Sequence, residues 1–278
     1  MEDCSVRVMS FNIRGASHRR DGVNLWEHRA GMNVQTIKRY GPDLIGFQEF
    51  QNENLEVYKR ELPGYARLPG PVYGTGVVEE FAAIFYDPER FEELDSGGFW
   101  LSETPDEYSA TWGNEVIRSA NWAVLRCREN GVAFLHVNTH LDHVSEPARI
   151  EGNRLILRQT QETLANHGDP PTIVTGDFNC RPGSPPYQVF EEAGFTDTFR
   201  AAGNEDADGA YTFHAFRGKH LSPGDTDKPT GRIDWILIHD DAGRITVRSH
   251  EIVCDGDEET GRYPSDHYPV LAELELCG

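Results

Sequence analysis

Eight apolar runs recur along the chain: VRVMSFN (6–12), LIGFQ (44–48), FAAIFYD (81–87), WAVLRC (122–127), VAFLHVNTHL (132–141), TIVTGDF (172–178), RIDWILI (232–238) and YPVLAELEL (268–276). Each is rich in β-branched or aromatic residues and bounded by turn formers, the pattern of a buried strand. Between some of them lie helical spacings. Residues 24–40 put Trp26, Ala30 and Ile37 on one face, and residues 147–166 do the same with Ile150, Leu157 and Leu164. Residues 184–193 open with Ser184 as N-cap and Pro185 in the first turn and stop at Gly194. No fixed-period repeat and no linker divides the 278 residues, and 201–210, 219–230 and 254–264 read as long polar loops. The expectation is one α/β domain over 1–278, with two sheets packed together and helices outside.

Polar residues interrupt these runs where strands start or stop. Asn12 follows VRVMSF, Glu49 closes LIGFQ, and Asp177 and Asn179 follow TIVTG. In VAFLHVNTHLDH, Asn138, His140 and Asp142 alternate onto one face, because side chains along a strand repeat with period two. The same rule puts Asp177 and Asn179 together. Asp234 is embedded among large apolar groups, and Asp266 and His267 precede the last strand. Burying one unpaired charge is costly; burying several is tolerated mainly when they share a metal or a hydrogen-bond network. Each has a plainer reading alone. Asp177-Phe178-Asn179 suits a turn closed by an aspartate side chain, Glu49 a helix N-terminus, and His140 a satisfied core histidine. Their joint occurrence and order argue against those readings.

Charge and cysteine usage narrow the class. The net charge is −20, and 22 of the 26 basic residues are arginine, the lysines being Lys38, Lys59, Lys219 and Lys228. A polyanion-binding protein is usually basic, so this surface fits adaptation to high salt, where acidic repulsion is screened; an ordinary acidic cytoplasmic protein is the alternative. No run approaches the roughly 18 apolar residues of a membrane span, and the start lacks a basic region followed by an apolar one. A cytoplasmic protein is expected, with no obligate protein partner evident. Cys4, Cys127, Cys180, Cys254 and Cys277 are scattered without CxxC spacing, which suggests neither a disulfide framework nor a zinc site.

The ordered set SFNIR, FQE, NTHLDH, GDFN, RIDWI and SDHYPV resembles the endonuclease/exonuclease/phosphatase superfamily with the deoxyribonuclease I-like fold, from residue 6 to about 274. GGFWLSETP (97–105) and TFHAFRG (212–218) resemble a less characterised prokaryotic branch, distantly related to nocturnin-like deadenylases. The resemblance implies a four-layer α/β/β/α sandwich of two mixed sheets with helices outside.

It also implies roles. Glu49 and Asp266, with Asn12 beside them, hold Mg²⁺ or Mn²⁺, which prefer oxygen ligands. Asp177 activates or orients the attacking water, and Asn179 donates to the phosphate or the nucleophile. His267, kept protonated and oriented by Asp234, contacts the phosphate, as does His140. Read from the residue itself, Arg118 in VIRSANW is either a further phosphate clamp, a fork of donors being suited to phosphate, or an ordinary surface arginine. Asp142 and His143 would support His140 or line the pocket. Trp100, Trp112, Trp122, Phe213 and Phe216 would either stack on a base or fill the core.

The expected activity is metal-assisted hydrolysis of a phosphodiester or phosphomonoester, first on a nucleic-acid end or nucleotide, alternatively on a lipid or sugar phosphate. A catalytically silent binding module would require a broken polar set, whereas every expected position is filled.

Overall fold

The computed structural model describes residues 3–71, 80–207, 209–222, 224–225, 231–257 and 259–278, so each of the three long loops read from the sequence lies partly outside the described residues. The strands are β1 Cys4–Asn12, β2 Leu44–Gln48, β3 Ala66–Leu68, β4 Ile84–Tyr86, β5 Phe91–Trp100 and β6 Ser119–Cys127. They continue as β7 Ala133–His140, β8 Thr172–Asp177, β9 Thr196–Asp197, β10 Asp234–His239, β11 Ile245–Ile252 and β12 Val270–Leu276. The helices are α1 Trp26–Tyr40, α2 Asn52–Glu61, α3 Glu146–His167, α4 Pro185–Glu192 and α5 Thr198–Ala201.

Two six-stranded mixed sheets form, in the orders β11-β12-β1-β2-β4-β3 and β5-β6-β7-β8-β10-β9. They stack face to face on Val6, Val8, Leu44, Leu125, Phe134, Ile173, Ile236 and Leu274. The outer face of the first sheet is covered by Trp26, Val34, Ile37 and Tyr58 of α1 and α2. Leu155, Ile156, Tyr187 and Phe190 of α3 and α4 cover the second. This is the expected four-layer sandwich.

Each of the eight apolar runs carries a strand. The four strands not read from the sequence, β3, β5, β9 and β11, are the four sheet edges. β5 and β11 alternate buried or half-buried with exposed positions and carry charged residues, as edges do to discourage pairing with other chains. α2 also lacked an apolar stripe, because it buries only Asn54 and Tyr58. On α3 the buried positions are Ala148, Gly152, Asn153, Leu155, Ile156 and Thr160, so Ile150, Leu157 and Leu164 lie at the margin rather than at the centre of the face.

One expectation is corrected. Cys4 at the start of β1 and Cys127 at the end of β6 form a disulfide, 123 residues apart in sequence. Their partnership arises only when the two sheets stack, so spacing could not reveal it. Among the described residues, no helix is long and apolar enough to cross a membrane.

The seam between the sheets changes character along its length. Beyond its apolar end comes a belt of neutral polar groups. Gln48 Nε2 donates to Asn138 Oδ1 (2.8 Å) and Ser10 Oγ (3.2 Å), Thr175 Oγ1 donates to Asn138 Oδ1 (3.0 Å), and His136 Nε2 lies 2.8 Å from Thr175 Oγ1. Asn138 Nδ2 reaches across to the carbonyls of Phe47 (2.8 Å) and Ala83 (3.0 Å), tying one sheet to the other. Gly46 allows this approach: a Cβ there would overlap Thr175 Oγ1 and lie 2.5 Å from Asn138 Oδ1. Past the belt, the strand ends turn charged.

Candidate active site

Parallel pairing of β7 with β8 sets His140 beside Asp177, and antiparallel pairing of β8 with β10 sets Asp234 on its other side. Asp177 Oδ2 is the meeting point. It accepts from Asn12 Nδ2 (2.9 Å) and lies 3.3 Å from His140 Nε2 and 3.7 Å from His267 Nε2. Asp177 Oδ1 accepts from the Asn179 backbone N–H (3.0 Å), so the triplet is the aspartate-closed turn of the plainer reading and part of the cleft at once. Asn179 lies beyond the end of β8 with φ 49°, so this turn, not strand alternation, brings it to Asp177.

His267 Nδ1 lies 2.9 Å from Asp234 Oδ2. Burial opposes the ring's charge, but Asp234 and Asp177 overcome it and raise His267 to about 9. Burial pushes Asp234 upward too; the pair holds one proton, which the ring keeps because a second carboxylate also faces it. Asp234 is held by the Thr212 hydroxyl, which accepts from the Ile233 and Asp234 backbone N–H groups (3.0 and 3.1 Å). The TFHAFRG stretch wraps the neighbouring turn. Asp266 O accepts from the N–H groups of His214 (2.8 Å) and Ala215 (3.1 Å), and the Phe213 ring lies 5.0 Å from that of His267.

Glu49, at φ 56°, turns off β2 into the cleft, where Glu49 Oε1 accepts from Asn12 Nδ2 (3.1 Å) and Glu49 Oε2 lies 3.1 Å from His18 Nε2. That hydrogen bond raises His18 above its ordinary pKa. Asn12 Oδ1 instead accepts from the Arg14 N–H (3.0 Å), so Asn12 presents its amide hydrogens, not its oxygen, to the carboxylates. Arg14 Nη1 sits 3.5 Å from Asp266 Oδ2. Burial opposes its charge, but Asp266, Asp21 and Glu49 hold it above its ordinary value.

Sequence reasoning missed His18, Arg14 and Arg29. Buried Arg29 donates to the carbonyls of Ile13 (2.6 Å), Asn24 (2.9 Å) and Pro264 (3.1 Å), and also to Arg14 O, fastening the loop after Asn12 to the one before Asp266. Its place on α1, one turn from Trp26, was the only signal.

His140 is neutral: burial, and then Arg118, lower it to about 4. Arg118 is itself buried, with Nη1 3.0 Å from His140 Nδ1 and 3.5 Å from Glu80 Oε2. Asn179 Nδ2 lies 3.1 Å from His140 Nε2 and donates to Leu141 O (3.0 Å).

Other expected neighbours do not converge. Asn138 belongs to the polar belt. Asp142 caps the loop into α3, accepting from the N–H groups of Val144 (3.0 Å) and Ser145 (2.6 Å), and exposed His143 pairs with Glu115 (3.4 Å). Trp100 is core, and Trp112 and Trp122 pack against the layer beneath α3.

The donor set suits a hard divalent cation. Glu49 and Asp266 offer buried carboxylate oxygens within the field of one arginine, and Cys180, the nearby thiol, is pushed up to about 12 by burial and stays a thiol. Asp177, Asp234 and His267 also bring ligand-type atoms within 4.8 Å of one another. There, however, His267 Nδ1 already faces Asp234, which fits a hydrogen-bonded relay.

The endonuclease/exonuclease/phosphatase family model matches residues 9–267. The structure is similar to that of an endonuclease/exonuclease/phosphatase from Bacteroides vulgatus, with a TM-score of 0.85 and 33% identity over 98% of this chain and 99% of that one. It is similar to a mannosyl-6-phosphatase from Bacteroides thetaiotaomicron VPI-5482, with a TM-score of 0.83 and 30% identity over 97% and 99% of the two chains. Nocturnin from Drosophila melanogaster is 23% identical over 315 residues, covering 99% of this chain, which spans 47% of that protein's length. Members of the family are divalent-metal-dependent hydrolases of phosphoester bonds. The match runs through every strand end that feeds the cleft, from Asn12 to His267, and the chain belongs to the endonuclease/exonuclease/phosphatase family.

Proposed function

We propose that the protein is a divalent-metal-dependent phosphoesterase that works by in-line attack of water. One observation carries this reading: a buried carboxylate oxygen, Asp177 Oδ2, stands between a neutral histidine, His140, and a charged one, His267. The carboxylate orients a water and accepts its proton. His267 Nε2, which has no hydrogen-bond partner among the described residues, offers a cationic N–H to a phosphoryl oxygen. Asp234 keeps that ring charged and oriented. Glu49 and Asp266 would hold Mg²⁺ or Mn²⁺, which supplies Lewis-acid polarisation of the phosphoryl oxygen. Asn12 joins Glu49 to Asp177, so one amide ties the metal end of the cleft to the water end.

For the substrate, two observations favour a small phosphomonoester such as a sugar phosphate. A surface of net charge −20 repels a long polyanion, and the mannosyl-6-phosphatase is 30% identical over nearly the whole chain. The test is a panel of sugar phosphates, nucleotides, and RNA and DNA oligonucleotides with Mg²⁺ or Mn²⁺, at low and molar salt. Phosphate release from sugar phosphates, with oligonucleotides intact, supports this reading. Shortened oligonucleotides would restore the nucleic-acid substrate expected from the sequence, and no turnover in any arm would overturn the phosphoesterase assignment.

A further inference from the structure

We propose that Arg118 is a positioning residue: it fixes the ring proton of His140 on Nε2 and so leaves an Asn179 amide hydrogen free for the substrate. A guanidinium can donate but never accept. At 3.0 Å from Arg118 Nη1, His140 Nδ1 is therefore the acceptor. A neutral imidazole carries one N–H, which must then sit on Nε2, 3.3 Å from Asp177 Oδ2.

The consequence falls on Asn179. One hydrogen of its Nδ2 goes to Leu141 O at 3.0 Å. The other faces His140 Nε2 at 3.1 Å, a nitrogen that is itself a donor and cannot receive it. Reversing the amide does not help, because Asn179 Oδ1 would then face the Leu141 carbonyl. The second hydrogen is left for an oxygen in the cleft. On the phosphoesterase reading, on which this last step rests, that oxygen is a phosphoryl oxygen.

Arg118 thus acts through His140, with Nη1 engaged on the ring instead of on phosphate. Glu80 Oε2 lies 3.5 Å from the same Nη1 and helps to hold it. Without the guanidinium, His140 is free to carry its proton on Nδ1. Nε2 then becomes an acceptor, captures the Asn179 hydrogen and withdraws a donor from Asp177.

The experiment is two-bond ¹H–¹⁵N NMR on ¹⁵N-histidine-labelled protein, with the His140 signals assigned by their loss in His140→Gln. Wild type should show His140 protonated on Nε2 alone. Arg118→Met should move it to a mixed or Nδ1–H population and lower kcat about tenfold or more, with KM nearly unchanged. Arg118→Lys, which keeps one cationic donor, should retain the Nε2–H form and most of kcat. A wild-type ring protonated on Nδ1 overturns the proposal without any variant. So does an Arg118→Met protein with an unchanged ring and a raised KM, the signature of a substrate clamp. If no phosphoester is turned over, the phosphoesterase reading fails while the ring-proton measurement still decides the role of Arg118.

Discussion

Asp177 and Asp234 stand opposite each other in the β8–β10 register, and the His267 ring lies between their carboxylates, 2.9 Å from Asp234 and 3.7 Å from Asp177. Two buried carboxylates side by side repel strongly. A cationic ring bridging them removes that repulsion and is itself held charged.

Asp234→Asn should therefore lower the His267 pKa and cut turnover about tenfold or more, equivalent to about 1.4 kcal/mol. In a His267→Ala background the same change should cost little, because groups acting as a unit are non-additive; additive losses would mean that they act separately. The pair also makes stability depend on pH. With the ring raised from 6.5 to about 9, its contribution is complete below about pH 6.5 and disappears as pH rises through 9. The wild-type melting midpoint should fall across that window, and fall less in Asp234→Asn.

Glu49→Gln keeps the shape and the Asn12 contact but removes a charge from the proposed metal end. Isothermal titration with Mn²⁺ should show weaker binding, and phosphoester turnover should drop about tenfold or more, with circular dichroism unchanged. Full activity in EDTA would falsify the metal assignment.

Gly46→Ala should destabilise the fold by about 1–3 kcal/mol, the usual cost of overpacking a tight core. The new methyl meets Thr175 and Asn138 in the polar belt, where neither side chain can leave without losing a buried hydrogen bond. Denaturant midpoints measure this; an unchanged midpoint would mean that the belt adjusts without loss.

The acidic surface should make folding salt-assisted. A melting midpoint that rises between low salt and molar KCl is expected, because screening shortens the reach of like-charge repulsion to about 3 Å at 1 M. A flat or falling midpoint removes salt adaptation as the explanation for the charge of −20.

The central strands, helices α1, α3 and α4 and the polar residues at strand ends were legible in the sequence, because a strand buried on both faces must be apolar and each departure stands out. Asp177, Asp234, His267, His140 and Glu49 were found in that way. The sheet edges were not, since a half-exposed strand such as β5 carries no continuous apolar run. Side-chain partnerships were invisible for a different reason. Cys4 meets Cys127 only after two sheets distant in sequence are laid together, Arg29 reaches the Ile13 and Pro264 carbonyls only once β1 and β12 are neighbours, and Arg118 reaches His140 only once β6 pairs with β7. Residue type and position at strand ends pointed to the groups of the cleft, whereas strand parity also pointed to Asn138 and Asp142, which lie outside it. Which ring is charged, which way Asn12 presents its amide and what Arg118 touches were decided by burial and by the neighbours that tertiary packing supplied, because a proton's position depends on the field around it and not on the residue that carries it.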